Sequence, residues 1–162
     1  MMLRTVAHGL FVALVLAFLG LPPPVAAEPP ACGDFLAEIQ AKPEHLEFLE
    51  CRPDQEAQLR VLKARYRVEG IHAAEVEEYF VRTAGMARLK RNCCGWENWP
   101  EKPGAAHDGT LAHKRPLGPE GPTEPGLSIG MSSGEALEGP TRERWGEIPW
   151  FYVDAVMYLE SP

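Results

Sequence analysis

Trp150-Phe151-Tyr152-Val153-Asp154-Ala155-Val156-Met157-Tyr158-Leu159-Glu160 alternates strongly enough to decide the fold class. Phe151, Val153, Ala155, Met157 and Leu159 form one wholly apolar face, and Trp150, Tyr152, Asp154, Val156 and Tyr158 form the other. Side chains along a strand point to opposite faces in turn, so a period of two predicts a strand with one face packed on a core and one at least partly open. Gln58 to Val68 repeats the pattern, with Leu62, Ala64, Tyr66 and Val68 on one face and Lys63, Arg65 and Arg67 on the other.

The period changes between these two stretches. Across Ala73 to Ala84, Val76, Tyr79, Phe80 and Thr83 make one helical stripe. Glu75, Glu77 and Glu78 suit its positive amino end, and Gly85 is placed as its C-cap. A second helix is predicted from the N-cap Asp34 through Phe35, Leu36 and Ile39 to Lys42, ended by Pro43. Leu46 to Cys51 reads as a short strand, Arg52 to Gln58 as a turn around Pro53 and Asp54, and Met86 to Asn92 as a short strand around Leu89. From Asn98 to Gly126 prolines and glycines alternate with almost nothing apolar, which predicts a long loop. Order returns at Leu127 to Met131, where Leu127, Ile129 and Met131 share a face. Strand, helix and strand joined by tight connections imply a right-handed parallel crossover. The expected fold is α+β: a mixed sheet of four or five strands, two helices packed on one face, and a long Pro/Gly-rich loop.

The amino end carries the order of a secretory signal. Met1 to His8 has one base, Arg4, and no acid; Gly9 to Leu21 is an unbroken apolar run; Pro22 to Pro24 and then Val25-Ala26-Ala27 follow. Cleavage is expected after Ala27, making residues 1–27 a signal peptide and 28–162 one domain that contains the loop 98–126. The run is shorter than the roughly 20 residues that span a bilayer, and Pro29-Pro30-Ala31 before Cys32 is not a lipobox. The mature chain is expected to be periplasmic or secreted, touching a membrane only through its leader.

The full chain has a net charge of −7, and losing Arg4 with the leader leaves 15 basic against 23 acidic residues, or −8. An acidic chain repels nucleic acid and anionic lipid on average, so neither is an expected partner. About 135 residues suffice for one real core, and disulfides then add to stability rather than supply it alone.

Cys32, Cys51, Cys93 and Cys94 are expected to be oxidised in an exported protein. A helix from Asp34 to Lys42 advances about 14 Å and a strand from Leu46 to Cys51 returns about 17–20 Å, which brings Cys32 and Cys51 near one another. Two arrangements stay open: Cys32–Cys51 with Cys93–Cys94, or Cys93 and Cys94 reaching separately to Cys32 and Cys51. A reactive-thiol reading is weaker, because no CxxC is present and no histidine lies nearby to lower a thiol pKa.

Other chemistry-bearing residues have plainer readings. His107, Asp108 and His113 lie in the Pro/Gly stretch with no metal-ligand spacing, so no metal and no cofactor are expected. Ser128, Ser132 and Ser133 lack the glycines of a nucleophile elbow. Glu75, Glu77 and Glu78 are explained by a helix amino end, and His72 by its place beside that end. The open sheet face carries more weight. Lys63, Arg65 and Arg67 share it with Trp150, Tyr152 and Tyr158, and aromatic and arginine side chains are enriched at protein interfaces. Trp96, Trp99 and Trp145 flank the loop as possible extensions. A positive centre on this face would favour an acidic partner segment.

Cys32-Gly33-Asp34-Phe35, Leu46-Glu47-Phe48-Leu49, the strand end Tyr66 to Gly70, Gly85-Met86 and above all Cys93-Cys94-Gly95-Trp96-Glu97 resemble a family of small exported bacterial proteins of unknown function. The resemblance covers Cys32 to Glu97 and extends to the carboxyl-terminal strand. It implies a bacterial envelope or secreted location and carries no catalytic or binding residue across. The functional expectation is a periplasmic, non-enzymatic binding protein for a protein partner, an inhibitor or immunity-type protein being one concrete form. A thiol-based redox or small hydrolytic enzyme using Cys93 and Cys94 is the alternative, and a structural envelope component the third reading.

Overall fold

The computed structural model describes residues 30–92, 94–112, 126–133 and 141–159. The leader, Cys93, residues 113–125 of the Pro/Gly-rich stretch with His113, and Glu160 lie outside the described residues. Among the described residues the architecture is α+β, with two α-helices and seven strands: α1 Phe35–Glu38, β1 Glu47–Glu56, β2 Leu59–Glu69, α2 Ala73–Ala84, β3 Leu89–Asn92, β4 Gly95–Asn98, β5 Gly109–Leu111, β6 Leu127–Ser133 and β7 Trp150–Tyr158. Two 3-10 turns, Gly70–His72 and Arg142–Glu147, precede α2 and β7. Among the described residues no helix is long and apolar enough to cross a membrane.

The strands form one sheet in the order β1-β2-β7-β6-β4-β3, with β5 also paired to β6. Every pairing is antiparallel, so the expected mixed sheet of four or five strands is corrected to an antiparallel sheet of seven. The expected parallel crossover is corrected as well. β2 and β3 run the same way, but β7, β6 and β4 lie between them. The α2 connection therefore spans the core face instead of joining neighbours. β7 sits between β2 and β6, which explains why its alternation is the clearest in the chain.

The predicted core face is buried. Leu62, Ala64, Tyr66 and Val68 of β2 and Phe151, Val153, Ala155 and Met157 of β7 join Leu127, Ile129 and Met131 of β6 in one cluster. Phe35 and Leu36 of α1 and Val76 and Phe80 of α2 cover it, so both helices pack on one face as predicted. Trp145, in a stretch that reads as a polar connection, is also buried there, against Phe151 and Trp96. Gly70 is required where the chain turns into α2. A Cβ at this position would lie 2.1 Å from the carbonyl oxygens of both Trp145 and Ile148.

α2 begins and ends where predicted, with Gly85 in the left-handed region at φ 69°. α1 is shorter than the expected span to Lys42. Asp34 caps it by accepting from the Ala37 N–H at 3.1 Å. Gln40 then turns left-handed, its N–H bonding the Ala37 carbonyl while the Ala41 N–H reaches back to the Leu36 carbonyl. This pair of bonds closes a helix before Pro43 can act on it.

The predicted turn over Arg52 to Gln58 shrinks to Ala57 and Gln58, and β1 runs straight through Pro53. β1 is the outermost strand, where a residue without an N–H need not break the ladder. Within the Pro/Gly-rich stretch, Gly109 to Leu111 forms β5, where a continuous loop was expected.

Candidate functional site

The side of the sheet away from both helices carries the predicted surface. The β2–β7 register sets Lys63 opposite Val156, Arg65 opposite Asp154, Arg67 opposite Tyr152 and Glu69 opposite Trp150. Cross-strand partners share a face, so Lys63, Arg65, Arg67, Trp150, Tyr152 and Tyr158 come together as the alternation predicts. Arg65 lies over the Tyr152 ring at 4.7 Å and Arg67 over the Trp150 ring at 4.3 Å. Cation–π contact of this kind holds both partners flat and in place.

Trp96 and Trp99 do not join this group. Trp96 turns to the core side and meets Trp145 edge-on at 5.1 Å between ring centroids. Trp99 lies just past the end of β4, against His107 at 4.8 Å. Trp145 is buried, so it extends no surface.

The positive centre is neutralised in place. Lys63 pairs with Asp154 at 3.2 Å and Glu56 at 3.5 Å, Arg65 with Asp154 at 3.7 Å, and Arg67 with Glu47 at 2.7 Å. The Glu47 hydrogen bond holds the Arg67 guanidinium more firmly protonated than usual. Tyr158 donates to Glu56 at 3.0 Å, and burial pushes its phenol up. Two of these carboxylates come from β1, where the hairpin register lays Glu47 beside Arg67 and Glu56 reaches Lys63, and the third, Asp154, is the β7 residue opposite Arg65. The acidic-partner expectation therefore loses its basis.

A β-bulge shapes this surface. Phe48 pairs with Tyr66 and Glu50 with Arg65, which leaves Leu49 as the extra residue. Leu49 is exposed and forms one wall of an open depression of about 600 Å³ shared with Glu50, Arg65, Pro149, Trp150 and Tyr152. Bulges bend a strand and re-aim a side chain, commonly beside functional sites. A second depression of about 290 Å³ lies across Trp150, between His45, Glu47, Arg67, Glu69 and His72.

The structure also gathers residues that the sequence does not connect. His45, just before β1, stacks on His72, with ring centroids 3.7 Å apart and planes 8° from parallel. Glu75, one helical turn beyond His72, completes a cluster whose ligand atoms lie within 4.8 Å of one another. The i, i+3 spacing of His72 and Glu75 was the only part of this signal present locally.

The remaining candidates have structural roles. Asp108 accepts from Asn98 at 2.8 Å and from the Ser128 hydroxyl at 3.0 Å, bracing the loop against β4 and β6. The Ser133 hydroxyl accepts from the Trp96 N–H at 2.8 Å.

Cys32 and Cys51 form a disulfide, with Cα atoms 5.4 Å apart, which excludes the arrangement in which each bonds to Cys93 or Cys94. Cys94 is also disulfide-bonded, and none of the described cysteines is free. The Cys32–Cys51 bond is compatible with an exported protein.

Residues 24–96 match the model of a family described as a domain of unknown function (DUF4952). The DUF4952 match takes in α1, the β1–β2 hairpin, α2 and β3 and stops inside the Cys-Cys-Gly-Trp-Glu motif. Its span holds the bulge at Leu49, the disulfide and the His45–His72 stack, whereas Trp150 and Tyr152 lie beyond it. No curated protein and no solved structure matches the chain.

Proposed function

We propose that the mature chain is an exported, non-enzymatic binding protein that takes a protein partner on the open face of its sheet, as an inhibitor or immunity-type protein would. The observation that carries this reading is the bulged Leu49, an exposed apolar side chain beside the ordered rings of Trp150 and Tyr152. Rigid aromatics beside an open depression cost little entropy to bury, and such anchors supply most of the energy in protein interfaces. The free edge of β1 is a poorer docking site, because Pro53, the bulge and the charges of Glu47, Glu50, Arg52 and Asp54 blunt it.

The surface also indicates the partner's chemistry. Each cation on the face is held by a carboxylate, and Glu50 stands at the rim of the depression. A partner segment offering an apolar side chain flanked by lysine or arginine fits best. The unpaired-thiol chemistry needed for an enzyme reading gains no specific observation, nor does a purely structural role.

A photo-crosslinking residue placed at Leu49 tests the reading in cells, with a second placed at Arg82 on the helix side as control. One envelope protein should crosslink from Leu49 and not from Arg82, and Trp150→Ala should reduce its recovery about tenfold or more. Equal crosslinking from both positions, or full recovery with Trp150→Ala, would remove the sheet face as the docking site.

A further inference from the structure

We propose that His45, His72 and Glu75 form a binding site for a divalent transition-metal ion of the zinc type. Two imidazoles and one carboxylate are the donor set of a three-ligand zinc site, whereas magnesium or calcium would find only one hard oxygen donor here. The ligand atoms are already gathered, although the stacked rings do not yet aim at one point. Donors around a tetrahedral zinc lie about 3.4 Å apart, given zinc–ligand distances of about 2.1 Å. The three ligand atoms already fall within 4.8 Å of one another, and His72 Nδ1 is 3.9 Å from Glu75 Oε2. A metal lies in the plane of each imidazole it bonds, so the face-to-face stack must open, and exposed His45 and Glu75 have room on the solvent side to turn.

Three further observations point the same way. His72 Nδ1 is buried and has no hydrogen-bond partner. A shielded ring nitrogen left without a partner is normally a cost, and a metal bond removes it. The left-handed backbone at His45, φ 66°, sets this residue beside the start of α2, so the course of the chain brings the second imidazole to the site. Finally, Glu47 and Glu69 line the adjoining depression, and its one cation, Arg67, is occupied by Glu47. The resulting negative field offsets the positive amino end of α2, which would otherwise oppose a cation.

This site is independent of the partner-docking reading, although both border Trp150. An ion held here would clip the segment before β1 to the start of α2, with its remaining positions open to water or to a donor from another molecule.

Calorimetric titration of tag-free, chelator-treated mature protein with zinc(II), and separately with magnesium(II), tests the proposal. One zinc per chain should bind, with no detectable magnesium binding. His45→Asn and His72→Gln should each weaken zinc binding about tenfold or more, and Glu75→Gln should weaken it less. His107→Ala should leave it unchanged. Asparagine tolerates the left-handed backbone, so His45→Asn keeps the fold, as its circular dichroism spectrum would verify. No zinc uptake, equal affinity for magnesium, or uptake undiminished in both folded His45→Asn and His72→Gln would overturn the assignment.

Discussion

The carboxylate of Glu77, buried in α2, accepts a hydrogen bond from the backbone N–H of Leu89 at 2.7 Å. The sequence presents Glu77 as one of three acids at a helix amino end, yet it is the one charged side chain buried among the described residues. Its position is set by tertiary partners. Arg142 forms an ion pair with it while lying over the Trp145 ring at 4.3 Å, and Arg88 approaches to 3.7 Å. One carboxylate thus ties α2 to the start of β3 and to the 3-10 turn that carries Trp145. Truncating Glu77 leaves the buried Leu89 N–H without its acceptor, at a cost of about 1–3 kcal/mol, while Arg142 and Arg88 are exposed enough to turn to water. Glu77→Ala should lose that much stability in urea denaturation, and Glu77→Gln, which keeps an acceptor for Leu89, distinctly less. Equal losses would mean that the hydrogen bond contributes nothing.

The Cys32–Cys51 bond closes a loop with a sequence separation of 19. Restricting an unfolded loop of this size stabilises by about 3 kcal/mol in the chain-entropy model. Replacing both cysteines with serine should lower the denaturation midpoint accordingly while leaving the native spectrum unchanged. An unchanged midpoint would show that the amino-terminal helix is already held by the burial of Phe35 and Leu36 and the Leu36–Tyr66 hydrogen bond.

Periodicity made β7, β2 and α2 legible, together with the face on which each residue lies, because each element stands alone in its own pattern. What the sequence hid were features that exist only through a neighbour. Pro53 reads as a turn until β1 is known to be an edge. Gly95-Trp96-Glu97-Asn98 has no apolar alternation, because Trp96 alone faces the core and its wall, Trp145, arrives 49 positions later. Gly109-Thr110-Leu111 is too short to announce a strand and is one only because β6 pairs with it. The candidate surface divides in the same way. The six residues on β2 and β7 were legible, whereas Leu49 needed the bulge and His45 needed His72, 27 positions on.

The β1–β2 hairpin closes with Ala57 and Gln58, both at positive φ, 46° and 75°. Two-residue loops of this conformation favour Asn-Gly, since each ordinary L-residue there pays about 1–2 kcal/mol. Ala57→Asn combined with Gln58→Gly should stabilise the protein by about 1 kcal/mol or more and raise its melting temperature by a few degrees. No gain would indicate that Gln58 earns its conformation through contacts of its own.

Tyr66 gives the fold a specific alkaline sensitivity. Its hydroxyl, fully buried beneath α1, accepts from the Leu36 N–H at 3.1 Å. Burial pushes the phenol well above its ordinary value; the Leu36 N–H opposes that shift and the nearby charge of Asp34 adds to it. In the unfolded chain the phenol ionises near pH 10, so above that pH the unfolded state has lost a proton that the native state retains. Stability from this group is therefore complete below about pH 10 and declines as pH rises further, by up to about 1.4 kcal/mol per pH unit. Tyr66→Phe should remove this decline while costing about 1–3 kcal/mol at neutral pH, because the Leu36 N–H is left buried without a partner. Urea midpoints of both proteins between about pH 8 and pH 11 separate the two effects. Parallel curves would mean that the alkaline loss originates at another group, whereas curves that converge as pH rises locate it at Tyr66.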